Sequence, residues 1–147
     1  MSYRTILAAT DGTELANRAV KQAAELAKVF GASLSLVTVS EPPPVFAAAE
    51  IGWSLPATVY DEIDAANAAA AKKTFADATA LIDVPLKETL HIENAGAADG
   101  IIDAATKIGA DLIVMGSHGH RGINRLILGS QAARVLSNAT IPVLIVK

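Results

Sequence analysis

Short apolar runs alternate with longer stretches of helical periodicity along the whole chain. The runs have the length of buried strands, and they are residues 5–10, 34–40, 86–92, 112–115 and 143–146. The helical stretches are residues 16–30, 60–82, 101–108 and 130–138. Because parallel strands need crossover connections that pack on the sheet, this alternation predicts an α/β fold whose parallel sheet carries helices on both faces.

Five strands of this kind fit a single doubly wound, Rossmann-like domain spanning residues 1–147, with the strand order 3-2-1-4-5. Residues 41–57, with four prolines, are predicted to form a long loop. In this strand order the first and fourth strands are neighbours, and ligands bind beyond the carboxyl ends of the strands at such a switch point. The segments that follow these two strands are therefore the expected binding site.

The segment after the fourth strand, MGSHGHRGINRLILGSQA, is rich in glycine, and Ser130 follows Gly129 at the start of a predicted helix. Glycine lets a ligand approach the backbone closely, and a helix start offers unpaired N–H groups and the positive end of the helix dipole. Phosphate is the ligand that such a segment favours. The alternative is that Gly116 and Gly129 only form turns.

Asp11 follows the first strand and stands three residues before Glu14, a spacing that fits a helix N-cap. It stays open whether Asp11 only caps the helix or also contacts a ligand. His118 and His120 lack partners at metal-ligand spacing, and the chain has no cysteine, so we predict no metal site.

The spacing Gly116-x-x-Gly119, nine residues, Gly129-Ser130 resembles the nucleotide-binding signature of the universal stress protein family. The opening ILAATDGTELANRA and the closing IPVLIVK also resemble that family's ends, so the resemblance covers the whole chain. It implies a protein that holds ATP, with or without Mg²⁺, in the crevice, and that has a regulatory or stress-response role.

The resemblance implies a contact for each matching position. Val39 would contact adenine through its backbone, and Asp11, in one segment with Ala9 and Thr10, would lie near adenine and ribose. The residues bordering ribose and phosphates would be Met115, Gly116, His118 and Gly119. The residues presenting backbone N–H groups to the phosphates, together with the Ser130 hydroxyl, would be Gly129, Ser130, Gln131 and Ala132.

Two positions depart from the family pattern. Ala9 stands where ATP-binding relatives commonly have proline, which leaves the turn looser. Ala132 stands where they often carry a second hydroxyl, so one hydrogen bond to phosphate, worth about 1.5 to 3 kcal/mol, is expected to be missing. We expect ATP binding to weaken and to persist, because backbone donors need no particular side chain.

The chain lacks the parts that phosphoryl transfer needs. No lysine follows the glycine loop in the Walker pattern, and Asp11 is the one carboxylate expected at the crevice. We therefore predict no catalytic residue, no enzyme, and at most slow ATP hydrolysis. The alternative function, which Ala132 favours, is a dimeric interaction module of the same fold that does not bind nucleotide.

Charge and hydropathy exclude other classes of partner. The net charge is −3 and no run is basic, so we expect no nucleic-acid partner. Since no eighteen apolar residues run together, we expect no membrane insertion and a cytoplasmic location. Val143 to Val146 would form a bare apolar sheet edge. In proteins of the resembled family such edges pair across a twofold axis, which predicts a homodimer, unless a loop of the same chain covers the edge.

Overall fold

A computed structural model describes residues 2–43, 55–119 and 128–147. The strands are β1 (Thr5–Ala9), β2 (Ser33–Ser40), β3 (Leu86–Glu93), β4 (Leu112–Gly116) and β5 (Val143–Val146). The helices are α1 (Glu14–Phe30), α2 (Ala57–Thr79), α3 (Ala97–Ile108) and α4 (Ser130–Asn138). All strand pairs are parallel in the order β3-β2-β1-β4-β5, which confirms the predicted fold class and strand order.

The central strands are apolar on both sides because helices cover both faces of the sheet. On one face, Ile6 and Val114 pack with Val20 of α1 and with part of α2. On the other face, Leu7 and Ile113 pack with apolar residues of α3 and α4. The two cores hold the carboxyl ends of β1 and β4 side by side, as the switch-point prediction requires.

Helix α1 is capped by Thr13, whose hydroxyl accepts a hydrogen bond from the Ala16 N–H at 3.3 Å. The helix ends at Gly31, which has the left-handed φ of 65°. The prediction that Asp11 caps this helix was wrong. The carboxylate of Asp11 instead accepts hydrogen bonds from the Thr13 N–H and hydroxyl, so it orders the turn before the helix.

Helix α2 begins at Ala57 and not at Tyr60, so the predicted loop over 41–57 extends too far toward the helix. Residues 44–54 of that predicted loop lie outside the described part of the chain. The helix buries Ala71 and Ala78, whereas Ala66 and Ala70 are exposed. Alanine gives a helix little contrast between its faces, so the packing against β2 and β3 selects the buried one.

Strand β5 forms an edge of the sheet and pairs with β4 alone among the described strands. Its Leu144 is 36% exposed. Within residues 2–43, 55–119 and 128–147, no helix has the length and apolar character needed to cross a bilayer.

Candidate functional site

A cavity of about 360 Å³ opens at the carboxyl ends of β1, β2 and β4. Its volume falls in the range of small-molecule sites, and its position is the switch point of the sheet. Ten of the twelve residues proposed from the sequence line it: Ala9, Thr10, Asp11, Val39, Met115, Gly116, His118, Gly119, Ser130 and Gln131. Gly129 and Ala132 are not part of this lining. The fold therefore brings the segments after β1 and β4 to one place.

The turn from β1 to α1 is closed by its own hydrogen bonds. Asp11 Oδ1 accepts from the Thr13 N–H at 3.0 Å and from the Thr13 hydroxyl at 2.6 Å. The Thr10 hydroxyl accepts from the N–H of Gly12, whose φ of +82° gives the chain its bend. Since these backbone donors are used within the turn, residues 9–11 line the cavity without offering the N–H groups of Gly12 and Thr13 to a ligand.

Gly119 lets the segment after β4 approach this turn. A Cβ atom on Gly119 would lie 2.9 Å from Asp11 Oδ2, closer than a side chain tolerates. Next to it, the hydroxyl of the buried Ser117 and Nδ1 of His118 are hydrogen-bonded at 3.1 Å. This hydrogen bond restrains the imidazole of His118, which lines the cavity.

The start of α4 offers backbone donors to the cavity. Its N-cap is Gly129, and no side chain of the cap residue bonds the first turn. The N–H groups of Ser130, Gln131 and Ala132 belong to the first helical turn, where helix geometry supplies no partner. Two of these residues, Ser130 and Gln131, line the cavity.

Gly129 and Ala132 have internal roles that the sequence did not reveal. The Gly129 N–H donates to the carbonyl of Ser117 at 2.8 Å, so it is not free for phosphate as expected. A Cβ atom on Gly129 would lie 2.6 Å from that same oxygen, so the contact requires glycine. Ala132 is buried and packs with Val135 in the core beneath α3. A hydroxyl on residue 132 would therefore enter the core and not the cavity.

Helix α3 also begins at the cavity, which the sequence did not predict because the expected helix started at Ile101. Its N-cap, Gly96, has no side chain, and the Ala98 N–H instead donates to Oε1 of Gln131 at 2.9 Å. A Cβ atom on Gly100 would lie 2.8 Å from Val39 Cγ2, so glycine lets α3 lie directly on β2. Gly96 and Gly100, within an alanine-rich run, were the sequence features that could have indicated this helix start and its close approach to β2.

The cavity is anionic in its side chains and positive in its backbone. Asp11 and Glu41 line it, so the prediction of Asp11 as the one carboxylate there was wrong, and within the described residues no lysine or arginine lines it. The positive ends of two helix dipoles, those of α3 and α4, meet there. Among the described residues, no group of three His, Asp or Glu side chains is arranged to hold a metal ion. His120 lies outside the described residues.

The chain matches the model of the universal stress protein family over residues 2–147. It is 36% identical over 145 residues to a universal stress protein of Thermus aquaticus, with 99% of each chain covered. The fold is similar to that of the universal stress protein UspA from Lactobacillus plantarum, with a TM-score of 0.79, 24% identity, and coverage of 100% of this chain and 99% of that one. A universal stress protein solved in complex with cAMP matches with a TM-score of 0.67 and 26% identity over 99% of this chain and 98% of its own. The chain belongs to the universal stress protein family.

Proposed function

We propose that this chain binds an adenine nucleotide in the cavity, with ATP as the expected ligand. The observation that carries the proposal is that α4 starts at the cavity behind Gly129, which has no capping side chain, while the start of α3, whose Ala98 N–H is bonded to Gln131, lies beside it. Amide donors at helix starts bind phosphate groups. A universal stress protein 26% identical to this chain is described in complex with cAMP, which supports adenine as the base.

The two sides of the cavity suit the two ends of a nucleotide. The aliphatic side chains of Val39 and Ile101 line one side and suit the apolar faces of a base. The Asp11 carboxylate suits the ribose hydroxyls, because an ionised carboxylate accepts hydrogen bonds and a hydroxyl can donate them. The Ser130 hydroxyl and the first amides of α4 suit the phosphates. Mg²⁺ would enter with the phosphates, because no described carboxylate cluster holds it independently.

Calorimetric titration of the purified protein with ATP, ADP, AMP, adenosine and GTP tests the proposal. We expect ATP to bind with a dissociation constant below millimolar and adenosine to bind more weakly, because adenosine lacks the groups that the helix starts hold. GTP is the control for the base. No heat with any adenine nucleotide at millimolar concentration would contradict the proposal and would leave the interaction module as the function.

We propose at most slow hydrolysis of the bound nucleotide. No lysine or arginine lines the described part of the cavity, and of its two carboxylates, Asp11 and Glu41, that of Asp11 is already hydrogen-bonded to Thr13. Phosphoryl transfer relies on such cations and on carboxylates that hold Mg²⁺. Phosphate release above about one turnover per minute, against a median enzyme near 10 per second, would contradict this proposal.

We also propose that the chain forms a homodimer through β5 and acts as a cytoplasmic regulatory or stress-response protein. The observation that favours the dimer is the apolar edge of β5, with Leu144 36% exposed and Leu136 of the neighbouring α4 44% exposed. Light scattering at micromolar concentration should give the dimer mass, and Leu144→Lys should give the monomer mass. A wild-type monomer would contradict the dimer. Fractionation of cells followed by detection of the chain tests its location.

A further inference from the structure

The side chain of Gln131 joins the two helix starts that border the cavity. Its Oε1 accepts a hydrogen bond from the Ala98 N–H at 2.9 Å, across the gap between α4 and α3. Ala98 is the second residue of α3, the position whose N–H an N-cap side chain ordinarily binds. Because the N-cap Gly96 has no side chain, Gln131 takes over the capping of α3.

This hydrogen bond fixes which way the carboxamide of Gln131 points. The Ala98 N–H is a donor, so the group that faces it must be the carbonyl oxygen, and the NH₂ group lies on the opposite branch of the amide. Within the described part of the chain, Nε2 of Gln131 makes no hydrogen bond, and the residue lines the cavity. Gln131 therefore offers a donor whose orientation is set by α3.

A second contact joins α3 and α4 close to this hydrogen bond. The carboxylate of Asp99 and the guanidinium of Arg134 lie 3.6 Å apart, on the turns next to the Gln131 hydrogen bond. The Asp99 carboxylate, which would otherwise oppose an anion near the helix start, is therefore paired with a cation. The ion pair therefore adds a second, surface contact between the two helices, one turn along α4 from Gln131.

We propose that Gln131 selects phosphate-bearing ligands, with Oε1 holding α3 and Nε2 donating to a phosphate oxygen. This inference rests on the proposed nucleotide site and adds a side-chain contact to the backbone donors of α4. A donor that is already held in place loses less conformational entropy on binding than a free one. Gln131 is thus a positioning residue for the cavity and a selectivity residue for the phosphate.

Two substitutions separate the roles of the two amide branches. Gln131→Glu keeps an oxygen for the Ala98 N–H and replaces the donor by a negatively charged oxygen that repels phosphate. Gln131→Met keeps the approximate length of the side chain and removes both hydrogen-bonding groups. Gln22→Glu, on the exposed surface of α1, adds the same charge away from the cavity and is the matched control.

ATP and adenosine are titrated calorimetrically into the wild type and the three variants, and thermal unfolding is recorded without nucleotide. We expect Gln131→Glu to unfold at the wild-type temperature or above, because the cap of α3 remains. It should bind ATP about 10- to 100-fold more weakly, as loss of a hydrogen bond to a charged group predicts. Its adenosine affinity should stay within about twofold of the wild type. Gln131→Met should unfold at a lower temperature and bind ATP about tenfold more weakly.

Equal ATP binding by the wild type and Gln131→Glu would overturn the inference and leave the proposed function intact. An equal proportional loss of ATP and adenosine affinity would also overturn it, since the side chain would then act only on the shape of the site. Absence of binding by the wild type would overturn the proposed function itself, and this inference with it. Gln22→Glu should match the wild type in every measurement, and a loss there would assign the effect of Gln131→Glu to net charge.

Discussion

The two strand-to-helix turns that border the cavity differ in how the first backbone N–H groups of the following helix are capped. After β1, the first turn of α1 is capped by Thr13, and Thr13 is in turn held by Asp11. After β4, α4 starts behind Gly129 without any cap side chain. The first turn bonds the N–H groups of Gly12 and Thr13 within itself, whereas, among the described residues, no side chain bonds the first amides of α4.

The two turns present different chemical groups to the cavity. A self-capped turn presents a side chain, here the Asp11 carboxylate, and its geometry does not depend on a ligand. An uncapped turn presents backbone N–H groups, and a bound anion satisfies them in place of a cap. Changes in the first turn should therefore affect stability more than binding, and changes in the second turn should do the opposite.

Gly129→Ala should have the largest effect, because it breaks the uncapped turn itself. Its Cβ atom would lie 2.6 Å from the Ser117 carbonyl oxygen, and the start of α4 must move to avoid the clash. We expect a loss of about 1 to 3 kcal/mol in unfolding free energy and no detectable ATP binding at millimolar concentration. Urea unfolding and calorimetry measure the two effects.

Gly31→Ala is the control for this variant. Gly31 ends α1 far from the turn after β4, in a left-handed conformation with open space around it. The substitution should lower stability by about 1 kcal/mol without changing the ATP affinity. If Gly129→Ala bound ATP as the wild type does, the position of the α4 start would not matter for binding.

Ser130→Ala should separate binding from stability at the second turn. The hydroxyl lines the cavity but does not cap α4, whose N-cap is Gly129. We expect ATP affinity to fall about 10- to 100-fold, as for loss of a hydrogen bond to a charged group, with unfolding free energy unchanged. Ser137→Ala makes the same change at the other end of α4 and should leave both quantities unchanged. A loss of stability equal to the loss of binding would contradict the comparison.

Thr13→Ala should show the reverse pattern at the first turn. Loss of the α1 cap is expected to lower the unfolding free energy by about 1 kcal/mol. ATP affinity should fall less than tenfold, because the Thr13 N–H still holds Asp11 at 3.0 Å. Chemical denaturation and calorimetry check this, and Thr13→Ser, which keeps a hydroxyl, should restore stability. A variant that lost binding and kept its stability would show that the two turns do not differ as described.

Asp83→Asn should have the smallest effect, since it lies away from both turns. Lys28 Nζ lies 2.5 Å from the Asp83 carboxylate and lowers the pKa of that carboxyl group. A lowered pKa stabilises the folded state above the unfolded pKa, and this contribution disappears as the pH falls through the folded pKa. The unfolding free energy, measured from pH 6 downward, should therefore depend slightly less on pH in the variant than in the wild type. ATP affinity at neutral pH should be unchanged. Any loss of affinity would show that the Lys28–Asp83 ion pair influences the cavity.

Periodicity and glycine position were sufficient to predict most of the fold. The spacing of Ala16, Ala19, Val20 and Ala23 predicted α1, and the apolar runs predicted β1 and β4, because one side of each element must be buried. The start of α2 was misplaced by three residues, because Ala57 directly follows Pro56, in a proline-containing segment that was assigned to a loop. The start of α3 was missed, because its first turn contains Gly96 and Gly100, which weaken a helical pattern.

The candidate site was predicted as a set of segments and not as a network of contacts. Asp11 and Gly119 were expected near one cavity, but the sequence does not show that Gly119 admits the Asp11 carboxylate to within contact distance. Gln131 was expected to contribute its backbone, whereas its side chain caps a helix by bonding Ala98, 33 residues earlier in the chain. Contacts of that separation depend on how α3 and α4 pack against each other.

The order of strands and helices along the chain, the glycines at the switch point and the family all follow from local patterns of residues. Which N–H groups stay available depends on tertiary packing, since capping partners such as Gln131 come from other elements. Tertiary packing also places the Gly129 N–H in a hydrogen bond with the Ser117 carbonyl and Ala132 in the core. Hydrogen bonds and burial are pairwise properties of residues brought together by folding, and a linear pattern specifies them only where the partners are neighbours in sequence.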